Sequence, residues 1–394
     1  MPAPAIEFKD LTFAYTSHPE SLRNVSFSLE KGSRTALVGP NGAGKTTLLL
    51  MCNGTLRPTS GEVHVGGEPI SYGSRQLREV RRKVGMVFQN SDSQLFAPTV
   101  YQDVAFGPLN LGLGEDEIRQ AVSDALFAVG LTGYERRPPH HLSGGEKKRA
   151  AIAGVLAMKP EILIFDEPTS SLDPAGAAEV MDLLEEINQQ GVTILLSTHD
   201  VELAYSWADD VVLIEGGEIL THAPPRSVFC DAELMRRAHL TQPAVLSLHH
   251  HLACRGIMKE SDPPAGLLEM AQRIEEMAAT VATHHAPAPI YLIDCTSGLD
   301  GSLPHLMETV SSLRIGVMGT TAKRHLAGVE ISADFTYGVI DASILHALRQ
   351  EPVVIVTSGG MIDRVHKRIA EFSEESTISL SLLPVGRHDT AEKV

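Results

Sequence analysis

The stretch that decides the fold is Thr35-Ala-Leu-Val-Gly39-Pro-Asn-Gly-Ala-Gly-Lys45-Thr46. Its apolar start predicts a buried strand over Thr35–Gly39, and a helix is expected from about Thr46. The segment from Gly39 fits the pattern GxxxxGK[ST] in the strand–loop–helix context that this pattern requires. Glycines let backbone N–H groups turn toward phosphate oxygens, and the helix N-terminus adds partial positive charge. The stretch therefore predicts a nucleotide-phosphate loop, with Lys45 at the β- and γ-phosphates and the Thr46 hydroxyl as a Mg²⁺ ligand.

A second apolar run, Ile162-Leu-Ile-Phe-Asp166-Glu167, ends in two carboxylates. Strands without polar residues are typical of a parallel sheet that is buried on both faces. Ligands of such sheets bind at the carboxyl ends of the strands. We therefore expect Asp166 to hold Mg²⁺ through water, and Glu167 to orient or deprotonate a water near the γ-phosphate.

Strand and helix patterns alternate along most of the chain, which predicts an α/β fold. Another buried strand is expected at Thr193–Ser197 and a helix at Glu115–Val129. A second series has predicted strands at Ile290–Asp294, Ile315–Met318 and Val353–Thr357. We expect three parts: an α/β domain at 1–248, a helical extension and linker at 249–287, and a small separate α/β domain at 288–394.

Composition excludes several classes of protein. The 394 residues carry 49 acidic and 33 basic side chains, a formal net charge of −16. Nucleic-acid binding relies on Lys and Arg to neutralise phosphates, so none is expected. The four cysteines form no CxxC pair, which argues against a disulfide framework and a thiolate zinc site. The sequence contains neither a signal-peptide pattern at MPAPAIEFKD nor an apolar run of about 18 residues. We therefore expect a cytosolic chain that reaches a membrane only through partners.

The segment Leu142-Ser143-Gly144-Gly145-Glu146 lies about twenty residues before the Asp-Glu pair and is followed by Lys147-Lys148-Arg149. It resembles the signature motif of ATP-binding-cassette (ABC) proteins and the basic helix start that follows it. The resemblance covers roughly Ile6–Leu248. It implies a P-loop cassette with a mostly parallel core sheet, an antiparallel β part and a helical subdomain.

The family resemblance also implies roles for individual residues. Tyr15 matches the aromatic residue that stacks on adenine, Gln89 the glutamine loop and a further Mg²⁺ ligand, and His199 the switch histidine at the γ-phosphate. Ser171-Leu-Asp173 matches the D-loop. With Lys45 and Glu167, the catalytic residues implied are Gln89 and His199. The implied contacts to ATP come from Tyr15, Gly39, Pro40, Asn41, Gly42, Ala43, Gly44, Lys45, Thr46, Thr47, Gln89, Ser143, Gly144, Gly145 and Asp173.

In this family two cassettes dimerise head to tail, so that Ser143 and Gly145 of one chain close on ATP held by Lys45 of the other. A homodimer is expected here, and a heterodimer with a second cassette chain is the alternative. Two alternatives are soluble cassette ATPases of DNA repair or chromosome structure and translation-factor cassette proteins. The first carry long coiled coils or zinc modules inside the cassette, whereas Lys45 to Leu142 spans an ordinary helical subdomain. The second normally hold two cassettes, whereas this sequence has one phosphate loop.

A narrower resemblance rests on GMVFQNSDSQLFAPTVYQDVAFGPLNLGL, on PHHLSGGEKKRAAIAGVLAMKPEILIFDEPTSSLDP and on PRSVFCDAELMRRAHLTQP. These segments are similar to the ATPase of energy-coupling-factor importers, particularly the cobalt/nickel branch; a vitamin importer is the alternative. Two departures are Ser91-Asp92-Ser93, where the family more often has Pro-Asp-Asp, and Glu146, where it often has Gln. The resemblance implies a peripheral position on the cytoplasmic face of the membrane. Partners would be a coupling subunit, docking on Gln94–Val104, and a substrate-binding subunit.

Three segments have more than one possible role. His249–His251 and His284-His285 are interpreted as solvated linker histidines, because adjacent histidines do not converge on one point and no Cys or carboxylate pattern completes a metal site. Thr357-Ser-Gly-Gly360 precedes a predicted helix at Met361–Glu371 and has the pattern of either an anion-binding loop or a simple turn. A regulatory, dimerising or ligand-sensing role is open for 288–394.

Overall fold

The structure is a computed structural model that describes residues 3–15, 18–258, 263–278, 286–296, 298–299, 301–329, 331–336, 338–375 and 378–385. It divides into two compact units. The first consists of Met1–Leu172 and Gly191–Met270, and the second of Asp173–Gln190 and Ala271–Val394. Each unit has its own sheets and its own apolar core. The boundaries predicted from sequence at 248 and 287 stay a prediction.

The first unit contains ten strands in its described residues. In chain order they are β1 (Ile6–Tyr15), β2 (His18–Leu29), β3 (Arg34–Val38), β4 (Ser60–Val65), β5 (Glu68–Pro69), β6 (Val84–Val87), β7 (Ile162–Asp166), β8 (Thr193–Thr198), β9 (Asp210–Glu215) and β10 (Glu218–Ala223). They form a four-stranded antiparallel sheet in the order β2-β1-β4-β5 and a six-stranded sheet in the order β10-β9-β3-β8-β7-β6. In the larger sheet every pair is parallel except β10–β9. The predicted cassette architecture is thus confirmed.

The first unit also contains nine helices in its described residues, three of which form a helical subdomain. They are α1 (Lys45–Cys52), α2 (Ser74–Lys83), α3 (Val100–Asn110), α4 (Glu115–Ala128), α5 (Gly144–Leu156), α7 (Val201–Trp207), α8 (Pro225–Phe229), α9 (Ala232–Arg237) and α10 (Ala244–Cys254). The helices α3, α4 and α5 pack against one another. No helix among the described residues combines the length and the apolar character needed to cross a bilayer.

The second unit is a smaller α/β assembly. Its elements are α6 (Pro174–Gln189), β11 (Ile290–Asp294), α12 (Ser302–Thr309), β12 (Arg314–Val317), α13 (Thr320–Gly328), α14 (Val339–Leu348), β13 (Val353–Thr357), α15 (Met361–Glu375) and β14 (Leu382–Pro384), and α11 (Leu267–Ala278) crosses the boundary between the units. The four strands pair in parallel in the order β12-β13-β11-β14. The three strands predicted here are confirmed, and β14 is an addition.

The histidine segment at 249–251 corrects one expectation. The three residues lie within α10, and His249 is buried instead of solvated. The reason is helical spacing: Val245, Leu246 and His249 share the buried side of α10, whereas His250 and His251 are exposed. His284 and His285 lie outside the described residues. Within the described residues, no three His, Cys, Asp or Glu side chains are grouped as metal ligands.

Close packing between β6 and α5 gives a test of the fold. A Cβ atom at Gly85 would lie 2.1 Å from Val155 Cγ1 and 3.1 Å from Leu163 Cδ2. We expect Gly85→Ala to lower the free energy of unfolding of the first unit by about 1–3 kcal/mol through overpacking. The fluorescence of Trp207, the single tryptophan and a buried residue of this unit, reports its unfolding in denaturant.

The matched control is Gly266→Ala, because a Cβ atom there would meet nothing within 4 Å. Gly266→Ala should leave the denaturation midpoint unchanged. Equal midpoints for all three proteins would contradict the packing of α5 on β6.

Candidate functional site

The loop between β3 and α1 is shaped by glycines that no other residue replaces without strain. A Cβ atom at Gly39 would lie 2.2 Å from the backbone O of Ile214. Gly44 has φ 101°, in the left-handed region, and a Cβ atom there would lie 2.9 Å from Ser21 O. The chain therefore turns tightly at the carboxyl end of β3 and enters α1 at Lys45, as the phosphate-loop pattern predicts.

The amine of Lys45 lies between this loop and the end of β7. Its Nζ donates to Gly39 O at 2.6 Å and to Pro40 O at 3.1 Å, and it is 3.9 Å from Glu167 Oε1. Burial lowers the pKa of Lys45, and the carboxylates of Glu167 and Asp166 oppose this shift. The amine is thus held between the loop carbonyls and the carboxylate of Glu167.

Glu167 contacts the predicted switch histidine as well. His199 Nδ1 lies 2.9 Å from Glu167 Oε1, the oxygen that also faces Lys45. With the carboxylate ionised, this bond requires Nδ1 to carry a proton. Glu167 is buried, whereas the imidazole of His199 is mostly exposed, so one face of the pair remains open to a ligand.

The backbone at Glu167 departs from the strand that precedes it. Its φ is 48°, a left-handed value that is costly for a residue with a Cβ atom. The conformation is fixed by hydrogen bonds on both sides: Glu167 N donates to Ser197 O, and Ser170 N donates to Glu167 O, each at 3.2 Å. This turn moves the Glu167 carboxylate off the direction of β7, toward Lys45 and His199.

Asp166 and Thr46 form the oxygen cluster expected for Mg²⁺. Thr46 Oγ1 donates to Asp166 Oδ2 at 2.8 Å, and Ser197 Oγ donates to Asp166 Oδ1 at 2.6 Å. A hydroxyl and a carboxylate oxygen are hard ligands, which Mg²⁺ prefers together with phosphate oxygens. These residues therefore fit the metal, and they lie next to the loop that would hold its phosphates.

The predicted adenine contact stands at the end of β1. Tyr15 is exposed, and its hydroxyl lies 3.2 Å from Thr47 Oγ1 in the first turn of α1. This hydrogen bond ties the aromatic ring to the helix that carries Lys45 and Thr46. Tyr15 and Thr47 therefore lie together beside the loop, and their contacts to ATP stay a prediction.

Lys148, a buried residue of the basic segment at the start of α5, is hydrogen-bonded to the glutamine loop. Lys148 Nζ donates to the backbone oxygens of Phe88 at 2.9 Å and of Gln89 at 3.3 Å. Burial lowers the pKa of Lys148 to about 8, and the charge of Asp166 opposes this shift. The side chain of Gln89 itself is exposed. The sequence contains a signal for the burial of Lys148, although not for its partners: Lys148 lies on the buried side of α5, among small apolar residues.

The signature residues lie at the N-terminus of α5, apart from this group. Ser143 and Glu146 form a reciprocal cap: Ser143 N donates to Glu146 Oε2 at 2.7 Å, and Glu146 N donates to Ser143 Oγ at 3.3 Å. The hydrogen bond from Ser143 N is the main cause of a lowered pKa of Glu146. Within the described residues, no hydrogen bond or ion pair joins Ser143, Gly144 or Gly145 to Lys45. Asp173 belongs to the second unit, where its carboxylate caps α6.

Comparison with known proteins places these features in a family. Residues 22–170 match the family model described as ABC transporter. The chain is 46% identical over 387 residues to the energy-coupling factor transporter ATP-binding protein EcfA2 of Methanospirillum hungatei, which covers 96% of this chain and 95% of the relative. It is 54% identical over 243 residues to EcfA of Methanocaldococcus jannaschii, covering 62% of this chain and 87% of that relative.

Two solved structures resemble the fold. One is cbiO1 of Clostridium perfringens, part of the ABC transporter complex cbiONQ, with a TM-score of 0.55 and 38% identity over 64% of this chain and 99% of that chain. The other is an ATP-binding cassette solved as a dimer in a post-hydrolysis state with ADP and Pi, with a TM-score of 0.51 and 28% identity over 56% of this chain and 99% of that chain. The predicted family, the ATPase activity and the use of ATP and Mg²⁺ are thereby confirmed. The chain belongs to the ATP-binding proteins of energy-coupling factor transporters, within the ABC-transporter ATPases.

Proposed function

We propose that the group formed by Lys45, Asp166, Glu167 and His199 hydrolyses ATP to power import of a transition-metal ion, with cobalt first and nickel next, through membrane partners. The observation that carries the catalytic part is the position of one carboxylate oxygen. Glu167 Oε1 lies 2.9 Å from His199 Nδ1 and 3.9 Å from Lys45 Nζ. A base, an orienting imidazole and a phosphate-binding cation thus meet at one place.

Each side chain has a task that its position supports. Lys45 and the N–H groups of the loop bind the β- and γ-phosphates, which positions the scissile P–O bond. Glu167 accepts a hydrogen bond from the attacking water and takes its proton as the new bond to phosphorus forms. His199 donates from Nδ1 to the carboxylate and orients it, and with its second ring nitrogen also protonated it donates to a γ-phosphate oxygen. Thr46, Asp166 and the exposed Gln89 would hold Mg²⁺, which would supply positive charge to balance the phosphate oxygens.

A second copy of the chain completes the site in this proposal. Ser143 caps α5 and the two glycines after it form its first turn, a helix N-terminus of the kind that suits phosphate oxygens. They are not joined to the Lys45 group within the described part of one chain. Pairing of two chains brings the signature residues of one to the ATP held by the other, and the related cassette solved with ADP and Pi is dimeric.

An apolar groove near the glutamine loop fits a helix of a membrane subunit. It has a volume of about 420 Å³ and is lined by Phe96, Ala97, Pro98, Tyr101, Gln102, Ala105, Phe106, Leu109 and Ile118. Phe96 is 66% exposed and Phe106 48% exposed, and their rings are in edge contact with centroids 4.8 Å apart. Exposed aromatic side chains around a groove are typical of docking surfaces. The groove overlaps the expected surface Gln94–Val104 and extends it along α3.

The buried carboxylate of Asp103 shapes this groove. Its Oδ1 accepts hydrogen bonds from Phe96 N and Ala97 N, each at 3.0 Å, so the loop before α3 is held against the helix. Burial raises the pKa of Asp103, and the two backbone hydrogen bonds oppose that shift. Gln94, two residues before Phe96, accepts a hydrogen bond from Phe88 N at 3.0 Å, next to Gln89. An occupant of the groove is therefore placed to couple transport to hydrolysis.

The cargo part of the proposal is supported by the sequence segments that resemble the cobalt/nickel branch and by the likeness to cbiO1. Specificity is expected in a substrate-binding membrane subunit, with the ATPase lying peripherally on the cytoplasmic face beside the coupling subunit. A vitamin carried by the same type of transporter is the competing outcome.

Removing the acidic character of Glu167 tests the catalytic assignment. Glu167→Gln keeps the shape of the side chain but cannot take a proton, so ATP hydrolysis should fall at least about a hundredfold while ATP binding persists. Steady-state ATPase assays and nucleotide titration measure the two effects. Glu161→Gln, an exposed change just before β7, serves as the control with normal turnover. Turnover near wild type in Glu167→Gln would remove Glu167 from the role of base.

The docking groove is tested by replacing one of its aromatic lining residues with a charged residue. Phe106→Asp should weaken copurification with the coupling subunit at least about tenfold, because truncating a central aromatic contact costs on the order of 2 kcal/mol. ATP binding by the chain should not change. Phe127→Asp alters an aromatic residue on α4 that is similarly exposed, at 53%, and should bind the coupling subunit normally. Equal retention of the partner by both variants would place the docking surface elsewhere.

Uptake by the assembled transporter tests the cargo. In vesicles containing the membrane subunits and this chain, we expect ATP-dependent uptake of radioactive Co²⁺ that excess Ni²⁺ reduces. The Glu167→Gln chain supplies the control without hydrolysis. Uptake of a vitamin without uptake of Co²⁺ or Ni²⁺ would overturn the cargo assignment and leave the ATPase assignment intact.

A further inference from the structure

The helix α6 is packed with the C-terminal α/β elements. Residues Asp173–Gln190, which the sequence places within the cassette, form one compact unit with Ala271–Val394. The helix contacts α13 in particular. The C-terminal elements therefore bind a helix that follows Ser171-Leu172-Asp173 in the chain without a break.

The contact is made by an acidic face of α6 that consists of Asp182, Glu185 and Glu186. Lys323 Nζ lies 2.8 Å from Asp182 Oδ2, and Arg364 forms an ion pair with Glu185. Both acidic side chains are largely buried, at 15% and 9% exposure. Since buried charges are costly unless they are paired, these basic residues are needed to keep the acidic face in place.

Glu186 occupies the N-terminus of α13. Thr320 N donates to Glu186 Oε1 at 2.8 Å, and Thr320 Oγ1 donates to Glu186 Oε2 at 3.0 Å. The approach depends on Gly319, with φ 96°, because a Cβ atom there would lie 2.5 Å from Glu186 Oε1. Burial raises the pKa of Glu186, and the bonds from Thr320 oppose this shift. The start of α13 is thus fitted to this one carboxylate.

The N-terminus of α6 is capped by Asp173, the last residue of the segment Ser171-Leu172-Asp173 that resembles the D-loop. Asp173 Oδ1 accepts from Gly176 N at 2.8 Å, and Pro174 takes the first helical position. Ser171 has a left-handed φ of 64°. Asp182 follows Asp173 by nine residues, roughly 13 Å along one helix whose successive turns are joined by backbone hydrogen bonds. A force on the acidic face is therefore transmitted to the first turn of α6.

We propose that the C-terminal α/β domain controls the ATPase by holding the acidic face of α6 and thereby fixing the segment Ser171-Leu172-Asp173. The capture of Asp182, Glu185 and Glu186 sets the position of the first turn of α6. The effect on hydrolysis rests on the proposed function, in which this segment serves the paired cassettes. The effect on the segment itself depends only on the contacts above.

Hydrogen exchange of the full-length chain tests the mechanical step. Lys323→Glu places like charges together at Asp182, and the backbone amides of residues 171–177 should then exchange at least about fivefold faster. The charge swap Asp182→Lys with Lys323→Glu should restore slow exchange. Arg314→Glu is the matched control, because Arg314 pairs with Asp334 and Glu351 and should leave these amides unchanged. Thr320→Val removes one hydroxyl from the contact with Glu186 and should accelerate amide exchange at residues 171–177 to a smaller extent. This variant replaces Lys323→Glu in the test if Lys323→Glu does not fold.

Hydrolysis in the presence of the membrane subunits tests the functional step. Lys323→Glu should lower the ATPase rate several-fold without changing ATP affinity, and the swap should recover it. Unchanged exchange at 171–177 in both Lys323→Glu and Thr320→Val would overturn the proposal. Faster exchange with an unchanged rate would overturn the control of hydrolysis. Neither result depends on the role of Glu167 or on the cargo, so a failure here is distinct from a failure of the proposed function.

Discussion

Parallel pairing of β8 with both β3 and β7 is the constraint on which the site depends. In this register Val38 lies beside Thr198, and Asp166 lies beside Ser197. The three strands thus end at one edge of the sheet. The phosphate loop, the two carboxylates and the switch histidine each follow directly from one of these ends. Residues separated by more than a hundred positions in the sequence thus become neighbours because the strands that carry them are paired.

The balance of charges at this sheet edge then determines which chemistry the site can support. Lys45 is buried beside Glu167 and Asp166, and each carboxylate has a second partner, His199 or Ser197. Such a network is polarised, and its hydrogen bonds hold the two carboxylates in defined orientations beside the phosphate loop. The left-handed backbone of Glu167 shows that part of the folding free energy is spent on this orientation.

The sequence was sufficient for the parts that have local signatures. The pattern at Gly39–Thr46 predicted the tight turn, and the apolar run before Asp166 predicted a buried strand, because both depend on neighbouring residues. The role of Lys148 was not predicted, since its partners are backbone oxygens of a loop about sixty residues away. The burial of His249 was not predicted, because three consecutive histidines suggest a polar, solvated segment. Only the helical spacing with Val245 and Leu246 shows that His249 faces the core.

Capture of α6 by the C-terminal elements was also beyond sequence reasoning. Asp182, Glu185 and Glu186 have the spacing of an ordinary solvated helix face, and only the three-dimensional contact shows Lys323, Arg364 and Thr320 against them. Pairing of distant charges has no periodic signal, whereas strand and helix patterns do. The groove around Phe96 and Phe106 was predicted in part. The sequence indicated a docking surface at Gln94–Val104, but not its extension along α3 to Phe106.

The central claim is that one chain supplies the catalytic edge and a second chain supplies the signature residues for the same ATP. It is tested most directly by mixing two inactive variants, Lys45→Ala and Ser143→Arg, and measuring ATP hydrolysis. A mixed pair contains one site with an intact Lys45 from one chain and an intact Ser143 from the other. The account predicts hydrolysis by the mixture above the sum of the two variants alone. A mixture as inactive as its components, under conditions in which wild-type protein hydrolyses ATP, would contradict it.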